Sequence, residues 1–294
     1  MTPQAHLSSR PLEIEEWSNR RLLHPAAAAL VPLLARWRVS PNAVSLLGLA
    51  SALLAALAYA RGNSWGWALL GLAAMIAWHI LDGADGKLAR LIGRASAFGR
   101  LVDGVCDHLA FAAIYIALSL AAIRFNHTGS MIWLLVLAAG IAHAFQAAAL
   151  EDRRQAYVRH KAGRIAGDKA AERHLVAAPW RSLLRLYDAA QNLVAPRQHA
   201  TEAALEAARQ KSAASWDAAL AVYQDAARRW IARWSLLSAN QRTLAIFIFV
   251  VMGWPAGYFW FELIVLSAYM AWLIAREPHH DRASAAAIAA ARDG

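Results

Sequence analysis

The sequence predicts an all-α integral membrane protein with six transmembrane helices, and three observations predict it. Of its 294 residues 59% are hydrophobic, and the mean hydropathy of +0.32 lies above the range of soluble chains. Apolar runs close to the length of about 20 residues that a bilayer crossing requires recur along the chain. The formal net charge of +10 is concentrated in the segments between alternate runs. In so apolar a chain, a basic surface suits anionic phospholipid headgroups and not nucleic acid. The lipid bilayer is therefore the first expected partner. A single cysteine, Cys106, rules out an intrachain disulfide.

Residues 1–40 make an N-terminal segment. Its acids precede any apolar run, which is not the pattern of a cleavable signal peptide. Within "EEWSNRRLLHPAAAALVPLLARWRV", Trp17, Leu22, Leu23, Leu30, Leu33, Leu34 and Trp37 alternate with Arg20, Arg21, Arg36 and Arg38. This predicts an amphipathic helix lying in the headgroup plane, with Pro25 and Pro32 dividing it into two short pieces.

Residues 41–150 hold the first four spans, at about 43–60, 66–81, 98–123 and 131–150. Residues 236–276 hold the last two, at about 243–253 with its preceding turn and 257–275. "GWPAG" at 253–257 separates this last pair, because a proline flanked by glycines ends a helix and makes a tight hairpin. "ARGNSW" and "RFNHTGS" are short and nearly neutral, whereas Lys87, Arg90, Arg94, Arg100, Arg276 and Arg282 fall on the opposite side. By the positive-inside rule both termini are cytoplasmic, at the inner membrane if the source is bacterial. The 277–294 segment is then a cytoplasmic tail.

Between spans four and five, residues 151–235 form a cytoplasmic insertion rich in alanine, arginine and acids. Trp216, Leu220, Tyr223, Ala227, Trp230 and Trp234 recur there at four- and three-residue steps, a helical seam. The seam suits packing on the membrane surface or on another subunit; a solvated helix accounts equally for its alanine content.

The segment "LDGADGKLARLIGRASAFGRLVDGVCDHLAF" places four aspartates beside two apolar runs. Asp82 and Asp85 share one helical face at the end of the second span, and Asp103 and Asp107 share one at the start of the third. The two pairs converge across a helix hairpin on the cytoplasmic side. Four acids in a partly desolvated site repel one another unless protons or divalent cations hold them. Oxygen ligands without histidine or cysteine suit Mg²⁺ or Mn²⁺. Gly83, Gly86, Ala89 and Gly99 remove bulk where a ligand or helix comes close, and Arg90 adds a phosphate-binding fork.

Taken as spacing, Asp82, Asp85–Gly86, Ala89–Arg90, Gly99, Asp103 and Asp107 resemble the signature of the CDP-alcohol phosphotransferase family, with every fixed position filled. Eight such residues coincide by chance roughly a few times in a hundred million sequences of this length. "SPNAVSLLGL" at 40–49 is similar to the entry into the family's first span, with Ser45 where threonine is commoner. The resemblance covers about 19–150 and, in outline, the six-span layout; the insertion lies outside the family pattern. It implies a dimeric membrane enzyme that transfers a substituted phosphoryl group from a CDP-linked donor to an alcohol and releases CMP. It further implies that Asp82, Asp85 and Asp103 hold metals at the donor diphosphate, and that Asp107 touches a metal and takes the proton of the attacking hydroxyl. Asn42, Ser45, Gly86, Ala89, Arg90 and Gly99 would line the cytidine and phosphate pocket.

The expected donor is CDP-diacylglycerol and the acceptor a polar alcohol. The alternatives are a CDP-linked small alcohol with a lipid acceptor, or a cation channel whose acids bind ions in transit. Arg153, Arg154 and Lys87 suit an acceptor phosphate or, equally by position, membrane anchoring. His79, His108 and His143 read as hydrogen-bonded interior histidines. Glu262, the only acid of the final apolar stretch, should face a polar cavity or the external interface.

Overall fold

The computed structural model describes residues 11–62, 64–165 and 198–293. Residues 1–10, at the start of the N-terminal segment, and 166–197, in the middle of the insertion, lie outside the described residues. The described residues are helical, and six of their helices are long and apolar enough to cross a membrane. They divide into two compact units: Met1–Gly140 with Ala239–Glu262, and Ile141–Ser238 with Leu263–Gly294.

In the first unit, a π-helical turn at Asn19–Leu23 leads into α1, His24–Arg36. The helix is one piece: Pro25 sits in its first turn, where no N–H is needed, and Pro32 is accommodated within it. Ala27, Val31 and Leu34 of α1 are buried with Val44, Ala84 and Leu88. Trp17, Leu22, Leu33 and Trp37 remain exposed, so the apolar residues divide between a packed face and an outward one.

Three serines set the starts of the next three helices. Ser40 caps α2, Pro41–Arg61, by accepting from the Ala43 N–H at 3.2 Å, and Pro41 fills its first position. Ser64 caps α3, Trp65–Leu91, and Ser96 caps α4, Ala97–Asn126, by accepting from Gly99 N–H at 3.0 Å. The C-terminus of α3 closes through Gly93 at φ 66°, with the Arg94 N–H donating to the Ala89 carbonyl at 2.8 Å. Helix α2 turns an alanine-rich face inward, and α3 approaches closely enough that a Cβ at Gly71 would sit 2.3 Å from the Tyr59 ring. Both α3 and the next helix, α5 at Ile132–Lys161, run about ten residues beyond the apolar windows that predicted them. Hydropathy reports where the lipid-like surface stops, whereas caps decide where the helix stops. The extension of α3 carries its aspartates on the same rigid rod as the span.

The hairpin expected at "GWPAG" is present: α8, Ala239–Val251, ends at Gly253 with φ 70°, and Pro255 opens α9, Pro255–Trp260. The Asn126 side-chain amide ties this turn to α4 by donating to the Gly253 carbonyl at 2.8 Å. Glu262, in the π-helical stretch Phe261–Leu266 that continues α9, is buried. Arg242 Nε donates to it at 2.8 Å, Tyr115 Oη at 2.7 Å, and Tyr258 Oη donates to the same oxygen as Tyr115. Arg242 is 1% exposed and Glu262 0%, so the pair is fully withdrawn from solvent. Beside it, Thr243 bonds the ring of His79 at 2.9 Å, which gives that histidine its interior partner.

The second unit contains the described helices of the insertion, α6 at His199–Lys211 and α7 at Ala213–Trp234, with the last helix, α10, at Ser267–Asp293. The tail expected from residue 277 is thus continuous with the helix that starts at Ser267. The tryptophan seam of α7 packs against this helix of the same chain. Glu277, 1% exposed, accepts from Trp230 Nε1 at 3.1 Å, Arg153 Nη2 at 3.1 Å and Gln198 Nε2 at 2.9 Å. Asp281 caps α6 from a distance of some 80 residues in sequence, accepting from the Ala200 and Thr201 N–H groups at 3.0 and 2.8 Å.

The Arg242–Glu262 pair gives a stability test. Arg242→Met strands a buried carboxylate, at a cost of about 3–5 kcal/mol. We expect it to lower the melting temperature in detergent more than the neutralised pair Arg242→Met/Glu262→Gln. Equal melting of the two variants would show that the ion pair is not what the carboxylate depends on.

Candidate metal and phosphate site

Asp82 and Asp85 stand three residues apart on α3, and Asp103 and Asp107 four apart on α4, so each pair shares a helical face. A five-residue connection between the two helices, with the left-handed Gly93 and the capping Ser96, turns those faces toward each other. One carboxylate oxygen each from Asp82, Asp103 and Asp107 lie within 4.8 Å of one another, and all three residues are half-buried. Asp103 lies within hydrogen-bonding reach of both Asp82 and Asp85, and Asp107 of Asp82.

Asp85 is distinct from these three. It is 4% exposed, and Ser45 Oγ on the second turn of α2 donates to its Oδ2 at 2.5 Å. The quartet expected from the sequence is therefore three facing acids with a fourth alongside, held by a hydroxyl from a neighbouring helix. The rest of the "SPNAVS" motif reaches the same place. The carboxamide oxygen of Asn42 lies 3.6 Å from where a Cβ at Gly99 would stand, joining the first turns of α2 and α4. At Gly86 a Cβ would sit 3.4 Å from Arg90 Nη1, so the absence of a side chain leaves room for the guanidinium to lie back over α3. Arg90 is also within electrostatic range of Asp85, and Ala89 is half-buried between them along the helix. Gly86, Ala89 and Arg90 thus stand on the end of α3 that carries Asp82 and Asp85, Gly99 on the start of α4, and Asn42 and Ser45 on the first turns of α2.

The donor set fits a hard divalent cation. An octahedral ion at about 2.1 Å from its oxygens sets neighbouring ligands about 3 Å apart and opposite ones about 4 Å apart. Of three such ligands at most one pair can be opposite, so carboxylate oxygens that lie within 4.8 Å of one another would close by up to about two ångströms to reach that geometry. No histidine or cysteine belongs to the cluster, which disfavours zinc.

Other candidates take different parts. Lys87 is 7% exposed, within the fields of Glu15, Asp82 and Arg90, and does not extend to solvent. Arg153 is committed to Glu277 and lies over the Trp234 ring at 4.5 Å, so it holds the insertion against the last helix. His108 donates from Nδ1 to its own helix at the Gly104 carbonyl, 2.6 Å away. Sequence reasoning missed Ser96, whose cap fixes the first turn of α4 and with it Gly99. A serine just before an apolar run was the available signal.

A family model described as CDP-alcohol phosphatidyltransferase matches residues 38–187, and so extends past Leu150 into the insertion. A protein of Streptomyces avermitilis named phosphatidylinositol phosphate synthase is 38% identical over 97 residues, which are 32% of this chain and 36% of that protein. Proteins of Mycobacterium bovis and Mycobacterium tuberculosis, each named "Putative cardiolipin synthase", are 36% identical over 98 residues, 31% of this chain and 44% of theirs. The chain thus matches less than half the length of these relatives. With just over half of its residues in the family match, the aspartate spacing complete and six helices able to cross a membrane, the chain belongs to the CDP-alcohol phosphatidyltransferase family.

Proposed function

We propose that the protein is a phospholipid-forming transferase that moves a phosphatidyl group from CDP-diacylglycerol to a polar alcohol and releases CMP. The observation that carries this reading is the meeting of Asp82, Asp103 and Asp107 beside the Ser45–Asp85 bond. Relatives named for the synthesis of phospholipids support a lipid product. Asp82, Asp85, Asp103 and Asp107 would hold Mg²⁺ or Mn²⁺, two ions in this proposal. When bound, such ions neutralise the charge that builds on the diphosphate oxygen as CMP leaves.

The chain's own residues supply the rest. Asn42, Ser45, Ala89 and Gly99 line the nucleotide side, and Arg90 offers a two-pronged donor set to the diphosphate across the space left by Gly86. Ser45 keeps Asp85 oriented by its hydroxyl. Asp107 takes the proton of the acceptor hydroxyl as its oxygen bonds to the lipid-bearing phosphorus and the bond from that phosphorus to CMP breaks. A site at helix ends serves this chemistry because the nucleotide half of the donor is water-soluble and the acyl half is not. The basic segments between spans support a cytoplasmic site and cytoplasmic termini. We further propose that the working form is a homodimer.

Purified protein with Mg²⁺, CDP-diacylglycerol and a panel of alcohols should release CMP and form a new lipid. No CMP release from any CDP-linked donor, together with ion flux in liposomes, would overturn the reading in favour of a channel. EDTA should abolish turnover, and Mg²⁺ or Mn²⁺ should restore it. Asp107→Asn should retain CDP-donor binding by calorimetry while turnover falls about 10²–10⁴-fold; near-normal turnover would place the base elsewhere. Ser45→Ala removes a hydrogen bond to a charged group, worth about 1.5–3 kcal/mol. It should raise the Mn²⁺ concentration for half-maximal activity about tenfold or more, with Ser45→Thr close to wild type.

A further inference from the structure

Arg233 and Arg276 carry positive charge in the second unit without an acidic partner among the described residues. Each guanidinium lies over an indole, Arg233 at 5.5 Å from the Trp230 ring centre and Arg276 at 5.4 Å from that of Trp272. Aromatic side chains join the two. The Tyr269 ring stacks on Trp272 with centres 5.8 Å apart, and its hydroxyl donates to the Arg233 carbonyl at 3.0 Å. Trp230 in turn stacks on His280, with centres 4.5 Å apart. Tyr269, Trp272, Arg276 and His280 follow one another at three- and four-residue steps of α10, so they form one stripe along which the end of α7 lies.

The nearby acids are engaged elsewhere. Glu277 is buried and takes up Arg153, Gln198 and Trp230; Asp225 holds Arg228 and Arg229; Asp281 caps α6. The depth of the stripe is legible as well. From Leu263 to Ala275 the chain carries no charge, and Arg276 is the first. Ile264 and Val265 are more than half exposed and Trp272 is 44% exposed, an outward apolar surface that gives way to guanidinium at Arg276. Aromatic rings followed by arginine mark the level of lipid phosphates.

We propose that Arg233 and Arg276, backed by Trp230, Trp272 and Tyr269, bind the phosphate of an anionic phospholipid of the surrounding bilayer. The stacked rings hold the guanidinium planes and leave their N–H edges to reach phosphate oxygens, which match the fork of an arginine. None of these residues takes part in the proposed reaction, and the bound lipid need not be consumed there.

The test uses the full-length protein in mixed micelles of detergent with phosphatidylcholine alone or with added phosphatidylglycerol, and retained lipid is measured by native mass spectrometry. The wild type should retain phosphatidylglycerol over phosphatidylcholine. The preference should fall about fivefold for each arginine removed in Arg233→Gln/Arg276→Gln. It should be kept in Arg228→Gln, whose guanidinium already belongs to Asp225. Excess inorganic phosphate should leave the bound lipid in place. An unchanged preference in the double variant overturns the proposal, and so does displacement by inorganic phosphate, which would assign the site to the free anion. If the double variant fails to fold, photoactivatable phosphatidylglycerol on the wild type decides the question. Label on the Tyr269–Arg276 stretch or at Arg233 supports the site, and label confined to other helices overturns it.

Discussion

Mutual repulsion among Asp82, Asp85, Asp103 and Asp107 is the constraint on which the first unit is organised. Carboxylates this close at the edge of an apolar helix pair raise one another's energy, and low-dielectric surroundings magnify the effect. The fold nonetheless brings three of them within 4.8 Å and seals the fourth under a serine hydroxyl. Protons shared among the carboxylates or bound cations relieve such an arrangement. The short α3–α4 connection, the Ser96 cap and the small residues at 86 and 99 all serve to keep the cluster narrow.

The same rule is satisfied differently elsewhere. Glu262 and Arg242 neutralise each other inside the first unit, with two tyrosine hydroxyls taking the remaining carboxylate capacity. Glu277 does so within the second, where Arg153 supplies the charge and Trp230 and Gln198 supply further donors. In both, every buried acid has its counter-charge in the chain itself. Around the aspartate cluster the described cations are Arg90, within range of Asp85, and Lys87, within range of Asp82, and the carboxylates face one another as well as these charges.

The spans and the aspartates were legible in the sequence because each is a local signal: an apolar run in one case, a three- or four-residue spacing in the other. The tight turn at Gly253–Pro255 was legible for the same reason. Helix ends were less so, since α3, α5 and α10 continue as charged helices past the point where hydropathy falls. Partners were not legible at all. Nothing in the spacing of Glu262 points to Arg242, nor does Asp281 announce that it caps a helix some 80 residues earlier. Ser45 was placed by motif, yet its direct bond to Asp85 depends on how α2 leans on α3, which no single helix encodes. The α7 seam read equally well as a face for the membrane or another subunit and as a solvated helix, whereas in the structure it packs on the chain's own last helix.

The compactness of the α3–α4 hairpin has a bearing on biogenesis. Asp82 and Asp107 are separated by a short stretch of chain, and Asn42 and Ser45 precede them, so the entire carboxylate pocket is encoded between residues 42 and 107. During synthesis that segment is delivered to the membrane while Arg242 and Glu262 are still untranslated. Arg242 then emerges ahead of its counter-ion. The Gly253–Pro255 turn folds the chain back so that Arg242 of α8 meets Glu262, in the stretch that continues α9, only 20 residues later.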